Sequence, residues 1–459
     1  MVGKTQVEER HTRAPSGAKT KVTLPKRRTE LGLLILANLA TVVAFFLAKY
    51  GLNQSYVPTV DPYLVAVVLV PYFGHLASRI SAPDADPVFL PVATLLNGIG
   101  FVMIERLDPT EAHLQVLWTT LGVGLYILTL VVVKNSDNLD RFRYILVILG
   151  IGLVLSPLVP GIGENINGER LWIHLGPLSF QPVEAAKLLL ALFFASYLTE
   201  KSDLLKRMSL RNLRAIGPSL RSFGPLGAAW AIAMMLMAAE RDVGFALLIF
   251  ATFIVTVWLA TANKTFLLLG SVLFVIGAFV ASKLFAQVNE RFTIWIDPWK
   301  YAQGIGYQIV QAQYALGTGG YSGTGLGQGH PSVIPVVTSD FIFAAIGEEL
   351  GLLGTTAILF AFLIIVGAGL RAAMRARSQF SSLVAASFTL TFGLQTFFII
   401  SGVVRILPLT GVTLPFVAYG GSSLVANYVL IAVLARISHE GNEVLLFGPQ
   451  PPIQKQLAT

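Results

Sequence analysis

The chain contains no cysteine. That excludes a disulfide frame, a thiolate metal site and a thiol nucleophile. Charge is also scarce. Asp, Glu, Lys and Arg make up 13% of the 459 residues, against roughly 25% in soluble domains. With 54% of the residues hydrophobic and gathered into repeated runs, an ordinary soluble globular protein is excluded. No soluble domain and no internal repeat stand out. No small-residue cleavage site follows the first apolar run, so an uncleaved first helix is expected. No Gly-Lys-Ser or Gly-Lys-Thr follows the glycines of residues 304–329, which makes a phosphate-binding P-loop a poor reading of that stretch.

What the chain does have is spans. About 20 apolar residues cross a bilayer. Twelve segments qualify: 31–50, 61–78, 88–104, 114–133, 143–160, 183–199, 224–239, 243–261, 265–285, 341–370, 382–404 and 420–437. The fold class is therefore all-α, a polytopic membrane protein. The net charge of +8 is concentrated at the start, where residues 1–30 hold eight Lys and Arg against three Glu. Beside a membrane helix, such a tail reads as a cytoplasmic anchor on anionic lipid. A nucleic-acid arm is the other meaning, and no nucleic-acid partner is expected. The remaining cations sort by side. Lys134, Arg141 and Arg143, then Lys201 to Arg221, then Arg371, Arg375 and Arg377 fall in gaps on the side of the tail. The long loop 286–340 holds only Arg291 and Lys300. By the positive-inside rule both termini are cytoplasmic, and the loops 161–182, 286–340 and 405–419 lie together outside. Residues 439–459 read as a mobile tail, given their Pro and Gln content.

Four polar clusters fall on the outer side. In residues 168–187, Arg170 and His174 sit in a loop, and Glu184 and Lys187 share a helix face at i,i+3. That pair is either a helix-start salt bridge or the lining of a pathway, the usual place for ionisable groups at membrane depth. Residues 238–244 put Glu240, Arg241 and Asp242 in a short turn, where ordinary turn chemistry is as good a reading as function. The third cluster is the glycine-rich loop GYQIVQAQYALGTGGYSGTGLGQG, with Gln308, running on to Asp340. Asp340 precedes an apolar helix, so it reads as an N-cap, as a catalytic carboxylate, or as both. Glu348 and Glu349 follow on that helix. Adjacent residues point about 100° apart, so at most one of them should face the same cavity as Asp340. The fourth cluster, RILPLTGVTLPFVAYGGSS (405–423), reads as a broken or re-entrant segment. Such backbone is tolerated only where protein or water covers it. Tyr419 to Ser423 line a polar path or pack at a helix start.

These clusters, in this order, resemble the SEDS family (shape, elongation, division and sporulation), which contains RodA and FtsW. The matching stretches are RLWIHLGPLSFQPVEAAK, ERDVG, the glycine loop, SDFIFAAIGEELGLLG and LPLTGVTLPFVAYGGSS. The resemblance covers about residues 88–438. It implies a ten-helix core preceded here by two added helices (31–80), as in RodA-like members from actinobacteria. Two positions depart from the family pattern. Ser339 stands where a threonine is usual and keeps the hydroxyl. Val183 replaces a serine and loses it.

The family polymerises lipid II into peptidoglycan glycan strands with release of polyprenyl diphosphate, in cell elongation and shape or in division. The resemblance implies Asp340 as the catalytic base. It implies substrate-binding roles for Arg170, Glu184, Lys187, Asp242, Arg291, Gln308, Glu348 and Glu349. It also implies a class B penicillin-binding protein, a transpeptidase, as partner in the bacterial plasma membrane. A departing diphosphate needs cations or a metal, so a divalent cation (Mg2+ or Mn2+) is admitted with the metal ligands unknown. No organic cofactor is expected. A lipid II transporter and a scaffold that only recruits a partner stay open as rival functions.

Overall fold

The computed structural model describes residues 27–166, 169–175, 178–206, 216–240 and 242–447. The first five helices are α1 (Arg28–Leu52), α2 (Pro62–Ser81), α3 (Phe89–Leu107), α4 (Pro109–Val132) and α5 (Arg143–Leu155). A short antiparallel sheet follows, β1 (Gly163–Ile166), β2 (Glu169–Leu175) and β3 (Leu178–Phe180), in the order β1-β2-β3. Then come α6 (Pro182–Lys206), α7 (Ile216–Glu240), α8 (Val243–Thr261) and α9 (Lys264–Leu284). The long connection between α9 and α12 contains α10 (Ala286–Ile296) and α11 (Tyr307–Gly319). The chain continues through α12 (Ile342–Arg375), α13 (Gln379–Val403) and α14 (Gly421–Phe447).

Among the described residues, 11 helices are long and apolar enough to cross a membrane, and Gly224–Glu240 in α7 is a shorter apolar helix. Together they fall on the twelve expected segments, so the chain is a multi-pass helical membrane protein. Local chemistry starts several of them. Asp61 accepts hydrogen bonds from the amides of Tyr63 and Leu64 (2.8 and 3.1 Å), with Pro62 at the first position of α2. Asp108 and Pro109 do the same for α4. A side-chain acceptor before a proline satisfies amides that an isolated helix end leaves bare. Helices α6, α13 and α14 form the packed interior. Almost all of α9 faces outward, its Leu, Val and Phe side chains left for lipid.

Several of the loop cations meet at one end of the bundle. At one end Arg27 donates to the Pro83 carbonyl (3.1 Å), Arg371 pairs with Asp86 (2.8 Å), Arg377 with Asp137 (2.9 Å), and His439 lies 3.4 Å from Asp84. The sheet, α10, α11 and the non-helical segment 404–420 occupy the other end.

Three features go beyond the sequence reading. The sheet was not expected, although Arg170 and His174 are exposed on β2 while Leu171 between them is buried. The expected tail from residue 439 is corrected. Helix α14 runs on to Phe447, because Glu440 accepts from the Ser136 amide (2.8 Å) and Asn442 donates to the Asp84 carbonyl (2.8 Å). Residues 1–26 and 448–459 lie outside the described residues.

The third feature is a break inside α12. Gly351 takes φ 66° and ψ −164°, a conformation closed to side-chain-bearing residues. The glycine loop replaces the helix's lost partners. The amides of Thr324 and Gly325 donate to the carbonyls of Glu348 and Glu349 (2.9 and 3.0 Å). The carbonyls of Gly320 and Tyr321 accept from Leu352 and Leu353 (3.0 and 3.1 Å). Unpaired backbone is costly away from water, so the break exists only with the loop in place.

Close packing elsewhere depends on single glycines. A Cβ on Gly100 of α3 would overlap the Val417 carbonyl oxygen, whereas nothing lies within 4 Å of one on Gly124. Gly100→Val should therefore cost about 2 kcal/mol or more. It should lower the melting temperature of the purified protein in detergent, with Gly124→Val unchanged.

Candidate active site

The polar clusters spaced along the sequence meet on the segment 404–420. This stretch has no regular helix, and Arg405, Gly411 and Phe416 take positive φ. Each neighbour grips it through its backbone. Glu184 and Lys187, one turn apart at the start of α6, are buried to 0% and 3% exposure and form an ion pair. Lys187 also donates to Gln395 Oε1 of α13 (2.7 Å). Gln395 in turn donates to the Thr413 carbonyl (2.9 Å), and the Thr413 hydroxyl donates to Glu184 (3.5 Å). The Lys187 ammonium stands 5.9 Å from the Phe245 ring centroid. Two charges inside a bilayer persist only when paired and hydrogen-bonded in this way.

The second cluster caps α8. Asp242 is buried and accepts from the Phe245 amide (2.9 Å). This is the turn chemistry that was one of its two readings. It places Gly244 so close to the Thr410 carbonyl that a Cβ would overlap it. Arg241 lies outside the described residues. From the third cluster, Arg291 of α10 donates to the same Thr410 carbonyl (3.0 Å), and Gln313 of α11 donates to the Val403 carbonyl (2.8 Å).

Asp340 sits in a tight turn before α12. Phe341 is the N-cap and makes no side-chain cap bond. Asp340 therefore stands one residue before the position that caps α12. Its side chain is half-buried. Its amide donates to the Val336 carbonyl (3.2 Å), and the Tyr419 amide donates to the Thr338 carbonyl (2.8 Å). The turn that presents Asp340 is thus fastened to the same segment that borders the Glu184–Lys187 pair. Burial pushes the Tyr419 phenol above its ordinary pKa, and the Glu111 and Asp108 carboxylates add to the rise. Tyr419 stays a neutral hydrogen-bonding group at physiological pH.

The remaining expected residues are placed elsewhere. Glu348 and Glu349 are both buried, and both point into the glycine loop. Glu348 accepts from the His330 amide (2.8 Å) and Glu349 from the Gly327 amide (3.0 Å). Glu349 pairs with Arg106 (2.5 Å), whose other nitrogen donates to the Gly329 carbonyl (2.6 Å). Arg170 is exposed on β2, and Gln308 is half-buried in the first turn of α11. Two participants escaped the sequence reading. Gln395 had a visible signal, a lone amide within the apolar run LTFGLQTFF. Arg106 looked like an ordinary charge at a helix end. Among the described residues no three of His, Cys, Asp and Glu come together as a metal site. The described side chains alone thus offer no fit for the expected divalent cation.

Fold and site define a polytopic helical membrane protein with an ion pair sealed in its interior and a carboxylate at its rim, both tied to one irregular segment. A family model described as Cell cycle protein, covering FtsW, RodA and SpoVE, matches residues 89–443. The chain belongs to this FtsW/RodA/SpoVE family. It is 40% identical over 439 residues to the peptidoglycan glycosyltransferase RodA of Mycobacterium tuberculosis, covering 93% of this chain and 94% of that protein. It is 34% identical over 376 residues to stage V sporulation protein E of Bacillus subtilis, covering 79% and 99%. Among solved structures, a chain of a peptidoglycan synthase complex superposes with a TM-score of 0.63 at 24% identity, covering 78% of this chain and 98% of that one. The rod shape determining protein RodA of Thermus thermophilus gives 0.55 at 24% identity, covering 77% and 96%. These two structures show the shared fold.

The ion pair makes a direct prediction. Lys187→Met leaves Glu184 charged and alone, at a cost of about 3–5 kcal/mol. The double variant Lys187→Met/Glu184→Gln should recover most of the lost thermal stability in detergent.

Proposed function

We propose that this chain is a peptidoglycan glycosyltransferase that polymerises lipid II in cell-wall elongation and shape control. The observation that carries the reading is Asp340, a half-buried carboxylate in a turn fastened to the irregular segment through Tyr419. An acceptor sugar hydroxyl attacks the anomeric carbon of the donor. Asp340 takes the hydroxyl proton as the new C–O bond forms. The bond to the polyprenyl diphosphate breaks, and the electron pair leaves with the phosphate. One carboxylate and an anionic leaving group suit a single inverting displacement better than a two-carboxylate hydrolase.

Positive charge must meet the departing diphosphate. Arg170 is exposed at the outer end and is assigned to it. Lys187 is committed to Glu184 and Gln395 and acts from within the bundle. Arg291 and Asp242 shape the irregular segment, Gln308 lines the entrance of the loop, and Glu348 and Glu349 belong to the scaffold. The outer end carrying these groups is extracytoplasmic, and both termini are cytoplasmic, in the bacterial plasma membrane. A class B penicillin-binding protein is the assigned partner, since polymerised strands need crosslinking.

The RodA type is preferred to the division-specific FtsW type. A match covering 93% of the chain cannot omit both α1 and α2, and these helices precede the region shared with the whole family. Asp340→Asn should reduce glycan formation from purified lipid II by about 100-fold or more with an unchanged melting temperature. Full polymerisation by that variant would remove Asp340 as the base.

A further inference from the structure

The first helix lies outside the region matched by the family model, yet its outer end touches the glycine loop. Gly51 of α1 abuts the backbone of residues 326–327. A Cβ there would overlap the Leu326 carbonyl oxygen and lie 3.2 Å from Gly327 Cα. The contact is reciprocal. A Cβ on Gly327 would overlap the Ala48 carbonyl oxygen and lie 3.0 Å from the Leu52 amide nitrogen. Gly327 also takes φ +78°, which favours glycine in any case. Main chain meets main chain here with no room for a side chain on either side.

An ion pair locks the same end. Lys49 lies 2.8 Å from Glu105 of α3, with the lysine 26% and the glutamate 6% exposed. The Lys49 ammonium also stands 5.3 Å from the Phe45 ring, and Phe45 stacks on Phe101 of α3. The next residue, Arg106, holds Glu349 and the Gly329 carbonyl. Adjacent helical residues diverge by about 100°, so α3 reaches α1 with one side chain and the loop with the other. The loop is therefore gripped from two directions, by α12 within the family core and by α1 from outside it.

We propose that the outer end of α1 is a clamp that sets the position of the glycine loop for catalysis, with Lys49 and Gly51 as positioning residues. The catalytic half of this rests on the glycosyltransferase reading above; the mechanical half does not. The clamp couples a helix that precedes the family-model match to a loop inside it. Loosening it leaves the α12 grip in place, so the loop shifts at its 326–327 end without leaving the bundle.

The absence of native cysteine makes the test clean. Leu326→Cys supplies a single thiol on the residue whose backbone meets Gly51 of α1, and its reaction rate with a membrane-impermeant maleimide reads how open the clamp is. Lys49→Ala and Gly51→Val should each speed labelling by about fivefold, the effect of losing one modest ion pair or contact. Without the reporter thiol, the same two variants should form glycan from lipid II several-fold more slowly per folded molecule. Lys49→Arg should restore both readouts to the parent values. Unchanged labelling in both variants would overturn the clamp. Faster labelling at full polymerisation would overturn its role in catalysis. If the parent chain itself forms no glycan, the glycosyltransferase reading falls with the catalytic half, while the labelling comparison still decides the clamp.

Discussion

Helix α12 is broken at Gly351, and the glycine loop fills the break. The carbonyls of Glu348 and Glu349 and the amides of Leu352 and Leu353 find their partners in residues 320–325. Left without those partners and away from water, such backbone groups are costly. The helix and the loop therefore have to form together. The glutamate side chains strengthen the same contact through Gly327 and His330. Everything between the loop and the helix, including the turn that carries Asp340, is held at both ends by this exchange.

The interior poses the opposite problem. Glu184 and Lys187 bring charge where charge is expensive. They are tolerated because Gln395 and Thr413 complete their hydrogen bonding. That network reaches out to the segment 404–420, which Arg291 and Gly244 also touch and whose Tyr419 amide donates to the Thr338 carbonyl. Neighbours on several elements use the segment's carbonyls in place of helical partners. Its place in the chain, between α13 and α14, puts it at the outer end beside the sheet and the loop helices. The Asp340 turn and the charge in the interior thus share one boundary.

Much of this was legible in the sequence, because bilayer physics writes strongly. The twelve spans follow from apolar length. The Glu184–Lys187 pair was visible because i,i+3 spacing fixes a shared face. The short sheet was hidden by its length and by surrounding Gly and Pro. The end of α14 was hidden because its polar residues pair with Asp84 and Ser136, far away in sequence. Glu348 and Glu349 both meet amides of the loop region just before the break at Gly351. Spacing along one helix carries no trace of a second strand of backbone beside it.

A carboxylate at the rim, with no partner carboxylate assigned to the chemistry, is an arrangement for one displacement. A transporter would also keep buried charge and a broken helix, so the products distinguish the two. The most direct measurement is to reconstitute the purified chain in vesicles with lipid II, without any other enzyme, and to follow glycan length and lipid II sidedness together. Glycan strands, with one polyprenyl diphosphate released for each bond formed, are the predicted result. Lipid II redistributed across the bilayer with no glycan made would contradict it.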